Sequence, residues 1–228
     1  MIIRCIHHWR MSILYFLGGQ DPFQGGSVEV MERAVKEAGG SPMVLILPWG
    51  LERSMVEDKF VKLDLAFRGL GASKVAEARP EDGAEDLRNA VSSADLVYLP
   101  DGDARAMMRS MRSSGTKRLL QDYQGVIVGD AMGGAVMCRH CVLPPDQYSS
   151  TYTMILGLNI ADFGVVPRYR REMDQYVVES SAGRTVFGIP EGSALLYGAG
   201  MFSNHGKVFM IKHGMRTVLT ERRTPIPL

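Results

Sequence analysis

Two textures alternate along the first 130 positions of the chain. Short unbroken apolar runs occupy 13–17 (within a strand read as 12–17), 44–47, 96–99 and 126–128, and each is closed at once by Gly18, Pro48, Pro100 or Gly129. Runs of this kind suit strands buried on both faces of a parallel sheet. Between them, apolar residues recur at helical spacing. Val28, Met31, Val35 and Ala38 form one stripe, and Val56, Phe60, Leu63 and Phe67 form another inside 51–70. Ala84, Leu87 and Val91 form a third, and 104–111 and 117–123 are two further helical stretches. Strand and helix in alternation predict an α/β fold: a doubly wound, mostly parallel sheet flanked by helices, a flavodoxin-like three-layer sandwich.

The texture changes after residue 140. Pro144, Pro145, Ser149, Ser150 and Thr151 mark a loop, and 170–182 reads as a helix. Shorter strands are expected at 186–188, 193–197, 207–211 and 217–219, with Gly198, Gly200 and Gly206 as turns between them. This gives a β-rich C-terminal edge on the same sheet. Residues 12–228 then form a single α/β domain, preceded by an extension over 1–11 that carries Arg4, His7, His8 and Arg10, with Met11 as a candidate start.

Composition narrows the function classes. The 228 residues are 46% hydrophobic and 22% charged, and the net charge is +1. That balance excludes the basic footprint of a dedicated nucleic-acid binder. Three cysteines form no even framework of the kind a disulfide-stapled secreted domain uses. No apolar run approaches the ~20 residues of a membrane span. The expectation is a cytoplasmic protein with no metal and no cofactor. Its partner would be a small molecule or short peptide in a cleft, with no nucleic acid and no membrane, and a homodimer is left open.

The informative segment is 126–138. Gly129-Asp130-Ala131-Met132-Gly133-Gly134 stands between a strand and a helix start. Its frame is that of a nucleophile elbow, G-x-S-x-G, a turn that lifts one side chain above a helix N-terminus and offers the next amide, here Met132, to an oxyanion. The nucleophile's place holds Ala131. Three more segments follow the same logic: Leu99-Pro100-Asp101-Gly102-Asp103, Ile155-Leu156-Gly157-Leu158 leading to Val166-Pro167-Arg168-Tyr169, and Phe187-Gly188-Ile189-Pro190-Glu191-Gly192-Ser193-Ala194-Leu195. Together these motifs resemble dipeptidase E and cyanophycinase, serine peptidases of the class I glutamine amidotransferase-like fold, over residues 12–211. The family elbow reads approximately G-x-S-A-G-A. Its G-G-[ND] turn corresponds to 101–103 and implies an oxyanion-hole amide near Gly102. A P-H-F or Q-H-F segment carries its base, and a G-I-P-E-G-T-A-L stretch matches 188–195.

The departures carry more weight than the matches. Ala131 offers no attacking atom. Arg168 stands at the implied base position, and a guanidinium cannot accept a proton near neutral pH. Asp146, in the loop after the elbow helix, is the candidate third member, with no imidazole to orient. Serine hydrolysis needs both an oxygen and a base. The resemblance therefore implies a peptidase homologue inactive by the Ser-His route. The alternative is an active peptidase or amide hydrolase, either a nucleophile mutant or an enzyme with another nucleophile; Arg168 favours natural loss, because one knockout would suffice.

Other chemistry-bearing residues have plain structural readings beside the functional ones. Cys138-Arg139-His140-Cys141 is a CxxC, but it falls in or just after the elbow helix and no second ligand pair exists, so both cysteines read as packing residues. Asp130 is either a reactive carboxylate or a turn residue. Asp101 and Asp103 either line the oxyanion pocket, where they would favour a cationic ligand, or cap the helix from Ala104. The basic run 168–171 binds an anion, lies solvated, or pairs Arg168 with an acid such as Asp130. Trp49 lines a cleft or packs in the core.

Overall fold

The computed structural model describes residues 12–25, 27–145, 149–181 and 183–219. Residues 1–11, and with them Cys5, His7 and His8, lie outside that set, as does Asp146. The α/β reading holds. The first sheet runs β1 (Ile13–Leu17), β2 (Met43–Ile46), β3 (Lys74–Glu77), β4 (Leu96–Leu99) and β5 (Val126–Asp130), all parallel. Two antiparallel strands, β10 (Ala194–Gly198) and β11 (Met201–His205), extend it past β1, giving the order β11-β10-β1-β5-β4-β2-β3. The helices α1 (Ser27–Glu37), α2 (Arg53–Gly69), α3 (Ala84–Ser93), α4 (Ala104–Ser113) and α5 (Thr116–Asp122) lie between its strands in the sequence.

The C-terminal strands are divided, which the sequence reading does not foresee. A second sheet is built from β6 (Cys138–Leu143), β7 (Thr153–Leu156), β8 (Ala161–Pro167), β9 (Val186–Ile189), β12 (Val208–Lys212) and β13 (Met215–Leu219), in the order β13-β12-β9-β8-β6-β7. The elbow helix α6 is correspondingly short, Met132–Met137. The chain passes from it directly into β6, so the CxxC lies on a strand and not in a helix. A register shift between Cys138 and His140 lets both Cys138 and Cys141 point into the core. The helix expected over 170–182 is a 3-10 turn at Arg171–Met173 followed by α7 (Asp174–Ser181).

Strand alternation sorts the core into layers. Tyr15 and Leu17 of β1 face α1 and α2, where Val30, Met31, Leu63 and Phe67 cover them. Leu14 and Phe16 face the other way, toward α3 to α6 and the second sheet. Phe163 of β8 links the sheets, with edge-on contacts at 5.2–5.4 Å to Phe16, Phe187, Tyr197 and Phe202. The outer face of the second sheet packs under α7 through Val142, Val166, Val177 and Ile211. Trp49 belongs to the core, 4% exposed, with its indole N–H donating to the Ala78 carbonyl at 2.6 Å. Among the described residues, no helix is long and apolar enough to cross a membrane.

Candidate active site

The elbow forms where β5 runs out of partner. Phe16 and Leu17 of β1 pair with Gly129 and Asp130, and the Ala131 amide adds one more bond to the Leu17 carbonyl at 3.1 Å. The chain then reverses. Ala131 takes φ 44° and ψ −110°, a conformation L-residues avoid at a cost of ~1–3 kcal/mol. Its carbonyl accepts from the amides of Gly134 and Ala135, both at 3.0 Å, which starts α6. The glycines are required by close approach. A Cβ on Gly133 would sit 2.1 Å from the Leu99 carbonyl oxygen, and one on Gly129 would sit 2.4 Å from the Gly134 Cα. Ala131 is fully buried.

Three further turns meet at this end of the sheets. The Gly18 amide donates to the Ser193 carbonyl at 2.9 Å, and the Arg168 amide donates to the Gly18 carbonyl at 2.7 Å. Any side chain at Gly18 would strike the Pro190 carbonyl. Arg168 itself has φ 50°, and its side chain lies against Gly19. Tyr169 anchors the turn: its ring packs on Gly188, where a Cβ would come within 2.5 Å, and its hydroxyl donates to Asp174.

Asp101 joins these pieces. Its Oδ1 accepts from the Met132 amide at 3.1 Å, the amide that the resemblance gives to the oxyanion. Its Oδ2 accepts a short bond from the Arg168 guanidinium. That bond keeps the guanidinium firmly charged by pushing its pKa further up. Glu191 adds a looser contact to Arg168 at 3.8 Å. Arg168 therefore pairs with Asp101 and Glu191 and not with Asp130, which corrects the sequence expectation. Asp103 caps α4, accepting from the amides of Arg105 at 2.7 Å and Ala106 at 2.9 Å. Gly102 presses on the Gly50 backbone, where a Cβ would meet the carbonyl oxygen at 2.4 Å.

Asp130 points to the opposite face of the sheet from α6. It is 4% exposed, and its Oδ1 has no hydrogen-bond partner. Burial first, then the Asp101 charge, push its carboxyl up to about 7. Tyr98, fully buried nearby on β4, lies close enough for its hydroxyl to interact with this carboxyl. Motif reading passes over Tyr98 because a tyrosine in an apolar strand looks like core. The signal that finds it is its register opposite Val128, which brings it to the same face and end of the sheet as Asp130.

Among the described residues, both cysteines are buried in the core. Burial pushes the Cys138 thiol far up and the Cys141 thiol to about 12, the reverse of what a reactive thiolate requires. Among the described residues, no imidazole hydrogen-bonds to the elbow. His140 lies on β6, His205 ends β11, and His213 sits in the turn after β12. No group of three acidic, imidazole or thiol side chains among the described residues is placed to hold a metal ion.

Comparison with known proteins agrees with the motifs. The model of peptidase family S51 matches residues 35–204. No curated protein matches the sequence. Among solved structures, a peptidase from an acI-B1 Actinobacterium is similar with a TM-score of 0.74 at 17% identity, over 92% of this chain and 95% of that one. A putative peptidase E protein from Listeria monocytogenes EGD-e is similar with a TM-score of 0.67 at 16% identity, over 86% of this chain and 98% of that one. At such identities these two likenesses establish the fold. The sequence match spans all four motif segments, from Leu99 to Leu195, and with it the chain belongs to peptidase family S51.

Proposed function

We propose that this peptidase S51 protein does not hydrolyse peptides by the Ser-His route, and that its cleft serves to hold a small molecule or short peptide. The observation that carries the reading is the seat of Asp101. An oxyanion hole works because its donors wait, unsatisfied, for negative charge that develops only in the transition state. Here the Met132 amide already donates to a carboxylate. That carboxylate would repel an oxyanion, and Arg168 fixes it in place. Three positions have thus changed together: Ala131 removes the nucleophile, Arg168 removes the base, and Asp101 fills the place of a glycine and engages the donor.

The test is reconstruction. Wild type and the Ala131→Ser/Arg168→His double variant are expected to leave short acidic dipeptides intact. Adding Asp101→Gly frees the Met132 amide and is expected to produce hydrolysis, followed by release of free amino acid. Turnover by the wild-type protein, abolished by Asp130→Asn, would overturn the reading in favour of a different nucleophile.

A further inference from the structure

The strands of the second sheet have two ends. β6, β8 and β9 run parallel, and Arg168 leaves β8 at the end that meets the elbow. Near their opposite ends lies a hollow of about 300 Å³. Gly164 stands in its wall between His140 and Val186, so the row of paired residues carries no side chain there. Val142, Met154 and Val186 give it apolar surface. Its charged lining is one-sided. Arg139 comes from the start of β6, Arg184 from just before β9 and Lys212 from the end of β12, against the single carboxylate of Asp162. Arg139 pairs with Asp162 at 3.2 Å. Arg184 reaches the Met154 sulfur at 3.8 Å, a weak acceptor. Among the described residues, no carboxylate comes within ion-pair reach of Arg184 or Lys212.

We infer that this hollow is a second binding site, which takes a phosphate monoester carrying a small apolar group. Arg184, Lys212 and Arg139 meet the phosphate, and Val142, Met154 and Val186 meet the apolar group. The charges match. Three permanent cations against one carboxylate leave a surplus of two, and a phosphate monoester carries about −1.5 to −2 at pH 7. Guanidinium forks engage phosphate oxygens in pairs, while an ammonium adds a point charge from any angle. A metal cation is repelled by the same surplus. A single-stranded nucleic acid needs a charged groove that tracks its backbone. Here the cations ring one concave volume, at the lower end of the ~300–1,000 Å³ of small-molecule sites. The hollow lies at the other end of the strands from Ala131 and Arg168, so the inference stands apart from the reading of the cleft.

His140 reports on the hollow from within. Desolvation first, then the Arg184 and Arg139 charges, pull its pKa down, and Asp162 pulls the other way. Lys212 shares the lining from β12. A bound dianion offsets the cations, so the His140 ring should titrate at higher pH in the loaded protein.

The probe is phenyl phosphate, titrated calorimetrically against the full-length protein near neutral pH at low, fixed ionic strength. Inorganic phosphate and phenol are the comparisons. One phenyl phosphate is expected to bind per chain, about tenfold more tightly than inorganic phosphate, with no binding of phenol. Arg184→Gln and Lys212→Gln should each weaken it about tenfold. Asp162→Asn should tighten it several-fold, because it frees Arg139, and a damaged fold cannot produce that gain. Arg171→Gln removes the same charge from the 3-10 turn after β8, at the other end of the strands, and should leave binding unchanged. Absence of phenyl phosphate binding by wild type overturns the inference. So does inorganic phosphate that binds as tightly as the ester. Unchanged affinity in both Arg184→Gln and Lys212→Gln overturns it too, as does an equal loss in Arg171→Gln or weaker binding by Asp162→Asn. Peptide hydrolysis, assayed separately, bears on the cleft and leaves the phosphate result standing.

Discussion

The elbow at 129–134 and the turns that face it, 99–103 and 166–169, fit the family resemblance to different degrees. The elbow keeps its backbone. Ala131 still adopts φ 44°, although no nucleophile is there to be presented. Its shape is held by Gly133 against Leu99, Gly134 against Gly129 and the Ala131–Leu17 bond, none of which involves the side chain at 131. The facing turns keep their positions but carry different chemistry, with a carboxylate and a guanidinium where the resemblance implies a glycine and an imidazole. Backbone packing resists change because each contact is shared by two elements. Cleft side chains change more freely, provided their charges still find partners.

The contrast can be attacked most strongly at the elbow. Gly133→Ala places a methyl group 2.1 Å from a backbone oxygen and within 2.8 Å of a second. Since those atoms cannot rotate aside, destabilisation should exceed the ~1–3 kcal/mol of ordinary overpacking, and thermal unfolding should show a Tm depressed by ten degrees or more. A near-normal Tm would mean that the elbow is not held by packing.

Next in size is the titration of Asp130. Its folded pKa of about 7 lies above the unfolded value, so the folded state holds the proton more tightly. That stability is fully present below about pH 4 and is lost as pH rises through 7; between pH 5 and 7 the fall is roughly 2–3 kcal/mol. Denaturation by urea between pH 5 and 8 should show the fall, and Asp130→Asn should flatten it. A smaller effect is expected at the cap. Asp103→Ala removes two bonds to the start of α4 and should cost about 1 kcal/mol without altering ligand binding.

The smallest effect belongs to the Arg168–Asp101 pair. The side chains of Arg168 and Asp101 are 42% and 31% exposed, so water screens them. A double-mutant cycle with Arg168→Met and Asp101→Asn should give a coupling of ~0.5–1 kcal/mol. A coupling of several kcal/mol would show that this pair is as structural as the elbow.

What the sequence discloses follows the same division. β1, β2, β4 and β5 announce themselves because strands enclosed on both faces are apolar throughout. β3 offers only Val75 and Ala76 between charged ends, and β7 is an edge strand whose Met154 and Leu156 are exposed, so neither stands out. β6 escapes notice because it follows α6 without a break and begins in the CxxC. At the site, Ala131 and Arg168 are visible from their motif frames. Asp101 is visible as a candidate for the oxyanion pocket, but its partners are not. Its meaning arises from Arg168, 67 positions away, and from the Met132 amide. Asp146 lies outside the described residues.

The Asp101–Arg168 contact also has a mechanical side. Asp101 leaves the end of β4 in the first sheet, and Arg168 leaves the end of β8 in the second. Their bond is therefore a clasp across the seam between the sheets. A base that must pick up and release protons needs some freedom to swing, whereas a clasp works only while it stays closed. A ligand that drew Asp101 away would open this seam at its end, and occupancy of the cleft would register as slack between the two halves of the molecule.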